Sequence, residues 1–221
     1  MRLYLIRHGE SVWNVEDRIQ GHGDSPLTAA GLEQSALLAR HLAGKGLAAL
    51  YASPLQRAHQ TAQAVAEAAG LSVTLHADLR EIALGVWEGL TPAEVNARFE
   101  NGFETWRQRP TQVVIPGSEP IEQFRRRAVT AITTVVRQAP ADAVGVVTHG
   151  GVIAAYLSHV LDADFDYLLR RLPIHNTGVT ILERLDDEHP AILAINDLQH
   201  LNVAARQPRV NPDDLTPIHV V

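Results

Sequence analysis

The 221-residue chain has no cysteine, a single methionine and no long apolar run. Without cysteine there is no disulfide, no thiolate nucleophile and no cysteine-ligated zinc. No stretch approaches the roughly 18 apolar residues that span a bilayer, and the chain opens on a strand-like run ending in charge, unlike a signal peptide. A cytoplasmic protein without membrane contact is expected. Positive charge is also short: 19 Lys and Arg against 25 Asp and Glu, net −6, which argues against nucleic acid or an anionic membrane as partner. Any anionic ligand must therefore be small and locally captured. The 11 histidines show neither His-x3-His nor His-Glu-x2-His spacing, so no metal or other cofactor is implied. A hydrophobic fraction of 46% with 20% charged residues is that of a globular chain. The length suits one domain, residues 1–221, with an inserted lobe at about 85–116, and leaves monomer or homodimer open.

Leu3-Tyr4-Leu5-Ile6 is a short apolar run of strand-formers that ends in Arg7-His8-Gly9. It reads as a buried strand of a parallel sheet. Ligands of open α/β sheets bind at the carboxyl ends of the strands, so Arg7 and His8 face a crevice, and Gly9 lets the backbone turn close to its contents. A lone histidine at a strand end is more often structural than catalytic. The rest of the chain has to decide.

Residues 11–25 read as a loop. Thr28 is a candidate N-cap for a helix with Leu32, Ala36, Ala39 and Ala43 on its apolar face. After a strand at 47–52, Ser53-Pro54-Leu55-Gln56 predicts a serine-capped helix ending at Gly70, with Ala58, Ala62, Val65 and Ala69 inward. Arg57 falls in its first turn, at the same sheet edge as Arg7, and the arginine fork suits phosphate oxygens. Extended pieces are predicted at 71–75 and 80–82, and helices at 92–99 and after Ser118-Glu119-Pro120. In the latter, Arg125-Arg126-Arg127 reads as a solvated face. Trp87, Phe99, Phe103 and Trp106 read as a core of the lobe or as a cover for substrate. The apolar strand at 143–147 runs into Thr148-His149-Gly150-Gly151 and a helix near Val152, repeating the order strand, histidine, glycine. That helix turns its N-terminal N–H groups to the crevice, favouring an anion. Strands at 176–185 and 191–196 close the sheet, and the tail after Gln207 reads as loosely held.

Arg7-His8-Gly9-Glu10, Trp13-Asn14, Gln20-Gly21, Pro26-Leu27-Thr28 with Gly31, Ser53-Pro54-Leu55 through Arg57 to Thr61, Leu79 to Ile82, Gly85, Trp87-Glu88-Gly89 and Thr148-His149-Gly150 occur in one order across nearly the whole chain. In this the chain resembles the histidine phosphatase superfamily, the phosphoglycerate-mutase-like proteins, and within it the broad-specificity bacterial phosphatases. The resemblance implies an α/β fold of three layers, a mostly parallel central sheet flanked by helices, with a small helical lobe over the crevice. It also implies roles. His8 is the nucleophile that becomes a phosphohistidine; Arg7, Arg57 and His149 hold the phosphoryl group, with Asn14, Gln20 and Gly150 around it; Glu81 is the general acid. Two departures stand out: Ser118-Glu119-Pro120 replaces a Gly-Glu-Ser, and His22 stands where many members have tryptophan.

Two guanidinium groups beside His8 disfavour its protonation and offset the charge of the transferring phosphoryl group. A carbonyl near Gly9 is expected to fix the ring. Glu81 near phosphate is expected to stay protonated toward neutral pH, with Glu88 as the rival carboxylate. The function so implied is hydrolysis of a small phosphorylated metabolite. A 2,3-bisphosphoglycerate-dependent phosphoglycerate mutase, using Arg98, Arg107 or Arg109 for the substrate carboxylate, and an α-ribazole phosphatase are the alternatives.

Overall fold

A computed structural model describes residues 1–139, 143–183, 185 and 190–201. The elements run β1 (Arg2–Arg7), α1 (Val12–Val15), α2 (Ala29–Leu42), β2 (Ala49–Ala52), α3 (Gln56–Ala69), β3 (Val73–Leu75), α4 (Pro92–Arg98), α5 (Gly102–Gln108), α6 (Ile121–Gln138), β4 (Ala143–Thr148), α7 (Gly150–Val160), α8 (Phe165–Arg171), β5 (Val179–Glu183) and β6 (Ala191–Asp197). The strand order is β3-β2-β4-β1-β5-β6. The first three pairings in that order are parallel and the last two antiparallel, so β5 alone runs against the rest and the sheet is mostly parallel, as expected.

Period-two alternation assigns the two faces. Leu3, Leu5, Val144 and Val146 pack into one cluster with Phe124, Ile132 and Ile153 from α6 and α7. Tyr4, Ile6 and Val147 pack into the other with Leu38, Ala58 and Val65 from α2 and α3. The three layers follow from that alternation. Because β4 lies between β1 and β2, the carboxyl ends of β1 and β4 are side by side, with Arg7 paired to Thr148.

Local chemistry explains most of the boundaries. Thr28 caps α2 by accepting the Gly31 N–H at 2.9 Å, and Gly70, at φ 67°, closes α3 in the left-handed region. Four expectations need correction. The segment after Ser11 is not all loop: Ser11 and Asn14 form a capping box that starts α1. The buried face of α2 is Gly31, Gln34, Ser35, Leu38, Ala39 and Leu42, while Leu32 is 52% exposed. Gln34 is drawn inward because its Oε1 accepts the Glu10 N–H at 3.0 Å. Residues 80–82 form no strand; a 3-10 turn at Ala77–Leu79 precedes them. Arg127 does not belong to a solvated face. It grips Glu119 through two bonds of 2.9 and 2.6 Å and donates to the carbonyls of Asp78, Arg80 and Glu81. The expectation for the tail after Gln207 falls outside the described residues.

The stretch 85–116 holds α4, α5 and two 3-10 turns. Trp87 and Trp106 are buried in the same cluster as β1 and α6, with Phe99 and Phe103 packed against it, so these rings extend the main core and do not form a separate one.

Gly31 marks the tightest approach to a backbone atom among the described glycines. A Cβ there would lie 2.0 Å from the Glu10 carbonyl oxygen, and the Gly31 carbonyl in turn presses on Gly9. Glycine inside a helix ordinarily costs about 1 kcal/mol relative to alanine. Here the clash reverses the sign: Gly31→Ala is expected to lower stability by about 1–3 kcal/mol, the usual cost of overpacking. Urea unfolding of the two proteins measures it.

Candidate active site

The site is assembled from strand ends. The His8 N–H donates to the Thr148 carbonyl at 3.0 Å, and the His8 and His149 rings lie 5.3 Å apart, centre to centre. His8 Nδ1 is 2.7 Å from the Gly9 carbonyl oxygen. A carbonyl only accepts, so Nδ1 carries the proton and Nε2 presents its lone pair. The Gly9 N–H is itself held by Thr61 Oγ1 at 2.9 Å.

Arg7 and Arg57 are almost wholly buried. Arg7 donates to the Ile174 carbonyl at 2.6 Å. Arg57 donates to the carbonyls of Gly23 and Gly21, each at 2.9 Å, and its Nε has no partner among the described residues. Burial lowers both guanidinium pKa values to about 10, against the attraction of Glu81, so both stay charged at neutral pH. Burial, then Arg57 and Arg7, hold His8 well below its ordinary pKa of 6.5. His149 is lowered likewise, by burial, Arg57, His8 and Arg7. Both rings are neutral at neutral pH.

Glu81 is buried, and its carboxylate accepts the N–H of Ile82 at 3.0 Å and of Gly151 at 2.9 Å. Burial raises its pKa against those two bonds and against Arg57 and Arg7. A side chain on Gly151 would meet Glu81 Oε1 at 2.4 Å, so only glycine leaves the carboxylate its place. One N–H at the α7 N-terminus thus serves Glu81, where the sequence pointed only to an anionic ligand.

The fold brings Arg7, His8, Arg57, Glu81 and His149, with Gly150 opening α7, to one edge. Asn14 and Gln20 are joined through Ser11, and Asn14 reaches the His8 backbone through Asn176. Ser11 Oγ is 3.0 Å from each, and Asn14 Oδ1 also accepts from Asn176, which donates to the His8 carbonyl at 3.1 Å. Glu88 is occupied elsewhere: its Oε1 takes the N–H groups of His22 and Leu84 at 2.9 and 2.8 Å. Ser53 is not the cap of α3, whose N-cap is Leu55 without a side-chain bond. Its Oγ lies 2.8 Å from His149 Nε2. Sequence reasoning missed this partner, and it missed Asn176, whose only signal was an asparagine just before a strand. Among the described residues no three His, Asp or Glu side chains group as a metal site, and no helix is long and apolar enough to cross a membrane.

Known proteins match the chain over most of its length. The family described as "Histidine phosphatase superfamily (branch 1)" matches residues 3–198. A protein of Yersinia enterocolitica named "Probable phosphoglycerate mutase GpmB" is 33% identical over 219 residues, covering 93% of this chain and 97% of its own. Among solved structures, Bacillus stearothermophilus YhfR superposes with a TM-score of 0.85 at 34% identity, over 90% of this chain and 98% of that one. A mycobacterial glucosyl-3-phosphoglycerate phosphatase, in complex with VO3, does so with a TM-score of 0.78 at 28% identity, over 88% and 98%.

Proposed function

Since the chain belongs to the histidine phosphatase superfamily, we propose that it is a phosphomonoesterase that hydrolyses a small phosphorylated metabolite through a phosphohistidine on His8. One observation carries the reading: a buried, neutral His8 ring fixed at Nδ1, with its Nε2 lone pair beside two charged guanidinium groups and a carboxyl of raised pKa. In the first step Nε2 attacks phosphorus, the P–O bond to the substrate breaks, and Glu81 gives its proton to the leaving oxygen. Arg7, Arg57 and His149 hold the phosphoryl oxygens as charge spreads over them. In the second step water attacks phosphorus, Glu81 takes a proton from that water, and the P–N bond breaks to return His8. Atoms and charge balance over the two steps.

The mutase reading has support in the name of the Yersinia relative, but a mutase also has to grip the carboxylate of a phosphoglycerate. Arg98 and Arg107 are engaged on their own helices, with Glu94 at 3.5 Å and Glu104 at 2.8 Å. Arg109 is exposed and in no ion pair among the described residues, so it alone of the three stays available for that carboxylate. Hydrolysis is favoured instead by the likeness to a solved phosphatase at 28% identity. The deciding experiment is a panel of 3-phosphoglycerate, fructose bisphosphates, α-ribazole phosphate and an aryl phosphate, with phosphate release and isomerisation followed together. Release is expected to exceed isomerisation on every substrate. Conversion of 3-phosphoglycerate to the 2-isomer faster than hydrolysis overturns the choice.

A further inference from the structure

The Gly21–Gly23 turn is fastened on three sides. Arg57 donates to the carbonyls of Gly21 and Gly23, and Glu88 Oε1 accepts the His22 N–H. The third fastening is the His22 ring, whose Nε2 lies 2.8 Å from the carbonyl oxygen of Glu81. That carbonyl accepts, so His22 carries its proton on Nε2. Arg127 Nη2 donates to the same oxygen at 3.2 Å from the opposite element, α6. Glu81 is therefore held at four points: two N–H groups on its carboxylate and two donors on its carbonyl. Of these, only His22 also connects the acid to the residue group that Arg57 holds.

We propose that His22 is a positioning residue for the acid: its ring ties the Glu81 backbone to the turn gripped by Arg57, and so sets the proton donor at a fixed distance from the phosphate clamp. The proposal rests on the reading of Glu81 as general acid. Glu81 itself lies in no strand or helix, between the 3-10 turn at Ala77–Leu79 and the antiparallel bridge from Leu84 to Ser118. Its carboxylate direction therefore depends on such side-chain ties, and a shift of about 1 Å in a reacting group costs on the order of 100-fold in rate. Glu88 works to the same end. By bonding His22 and Leu84 at once, it clamps the turn to the segment that follows the acid.

A leaving group that needs a proton reports on this tie, whereas a nitrophenolate leaves without one. His22→Leu, which removes the donor and keeps the bulk, is expected to lower kcat/KM for an alkyl phosphate about tenfold more than for p-nitrophenyl phosphate. His22→Gln, whose amide N–H can replace the Nε2 donor, is expected to recover most of that difference and remains informative if the leucine variant does not fold. Equal losses on both substrates, or none on either, overturn the proposal, as does failure of glutamine to improve on leucine. Glu81→Gln is measured on the same two substrates. If it shows no leaving-group dependence, the acid assignment itself is at fault, a result distinct from any behaviour of His22.

Discussion

Replacing His8 with alanine is expected to abolish hydrolysis, a loss on the order of 10⁴ to 10⁶-fold, the scale seen when a covalent nucleophile is removed from a hydrolase. The variant should fold. The side-chain bond of His8 is local, from Nδ1 to the neighbouring Gly9 carbonyl, while its backbone bond to Thr148 does not depend on the side chain. The decisive readout is covalent: the parent protein, quenched in base during turnover of a phosphorus-labelled substrate, should carry an acid-labile phosphate on His8, and the alanine variant none. Label or turnover surviving in that variant sinks the mechanism.

Glu81→Gln carries the second large effect, a loss of about 10²–10⁴-fold on alkyl phosphates, the usual worth of a positioned acid or base. Part of the change will be structural. An amide presents an NH2 to one of the two N–H groups that now bond the carboxylate, leaving a buried donor unmatched at about 1–3 kcal/mol. The pH profile separates the two. Glu81 donates only when protonated, and burial raises its pKa, so activity should persist above the ordinary carboxylate range and fall as pH climbs through the raised value. That alkaline limb should vanish in the glutamine variant. On the proposed mechanism the acid limb belongs to His8, which has to be neutral to attack. Its lowered pKa puts that limb below 6.5, so the optimum is acidic to neutral. Glu88→Gln abolishing turnover while Glu81→Gln left it intact would reverse the assignment.

What the sequence made legible was local chemistry and period. The β1 run, the Thr28 cap, the Gly70 stop and the repeat of strand, histidine and glycine at His149 each depend on neighbours within a few residues, and each stands in the structure. The Ser53 cap failed for the opposite reason. Ser-Pro-x-Gln is a sound local signal, yet the hydroxyl is claimed by His149, 96 residues away, which no local rule can foresee. Arg127 was misread likewise, because a run of three arginines looks solvated until Glu119 and three carbonyls of another segment are placed around one of them. The α2 face slipped because Gln34 and Ser35, polar in sequence, are buried with polar partners. In the candidate site, the motifs named the residues that the fold brings together, Arg7, His8, Arg57, Glu81 and His149. Their fastenings, Ser53, Thr61, Asn176 and Gly151, were not legible, since those arise only from closure of the fold.

The single backbone bond from His8 to the Thr148 carbonyl has a mechanical consequence. The two histidines each follow directly on the last paired residues, Arg7 and Thr148, of two adjacent strands whose faces are both covered by close-packed core. Their backbones are therefore held at one spacing by the paired strands. A hinge or lid elsewhere could open or shut without changing the spacing between them, and only melting of the sheet pulls them apart. On the proposed mechanism, nucleophile and phosphate holder form one jig, to which each new phosphate conforms.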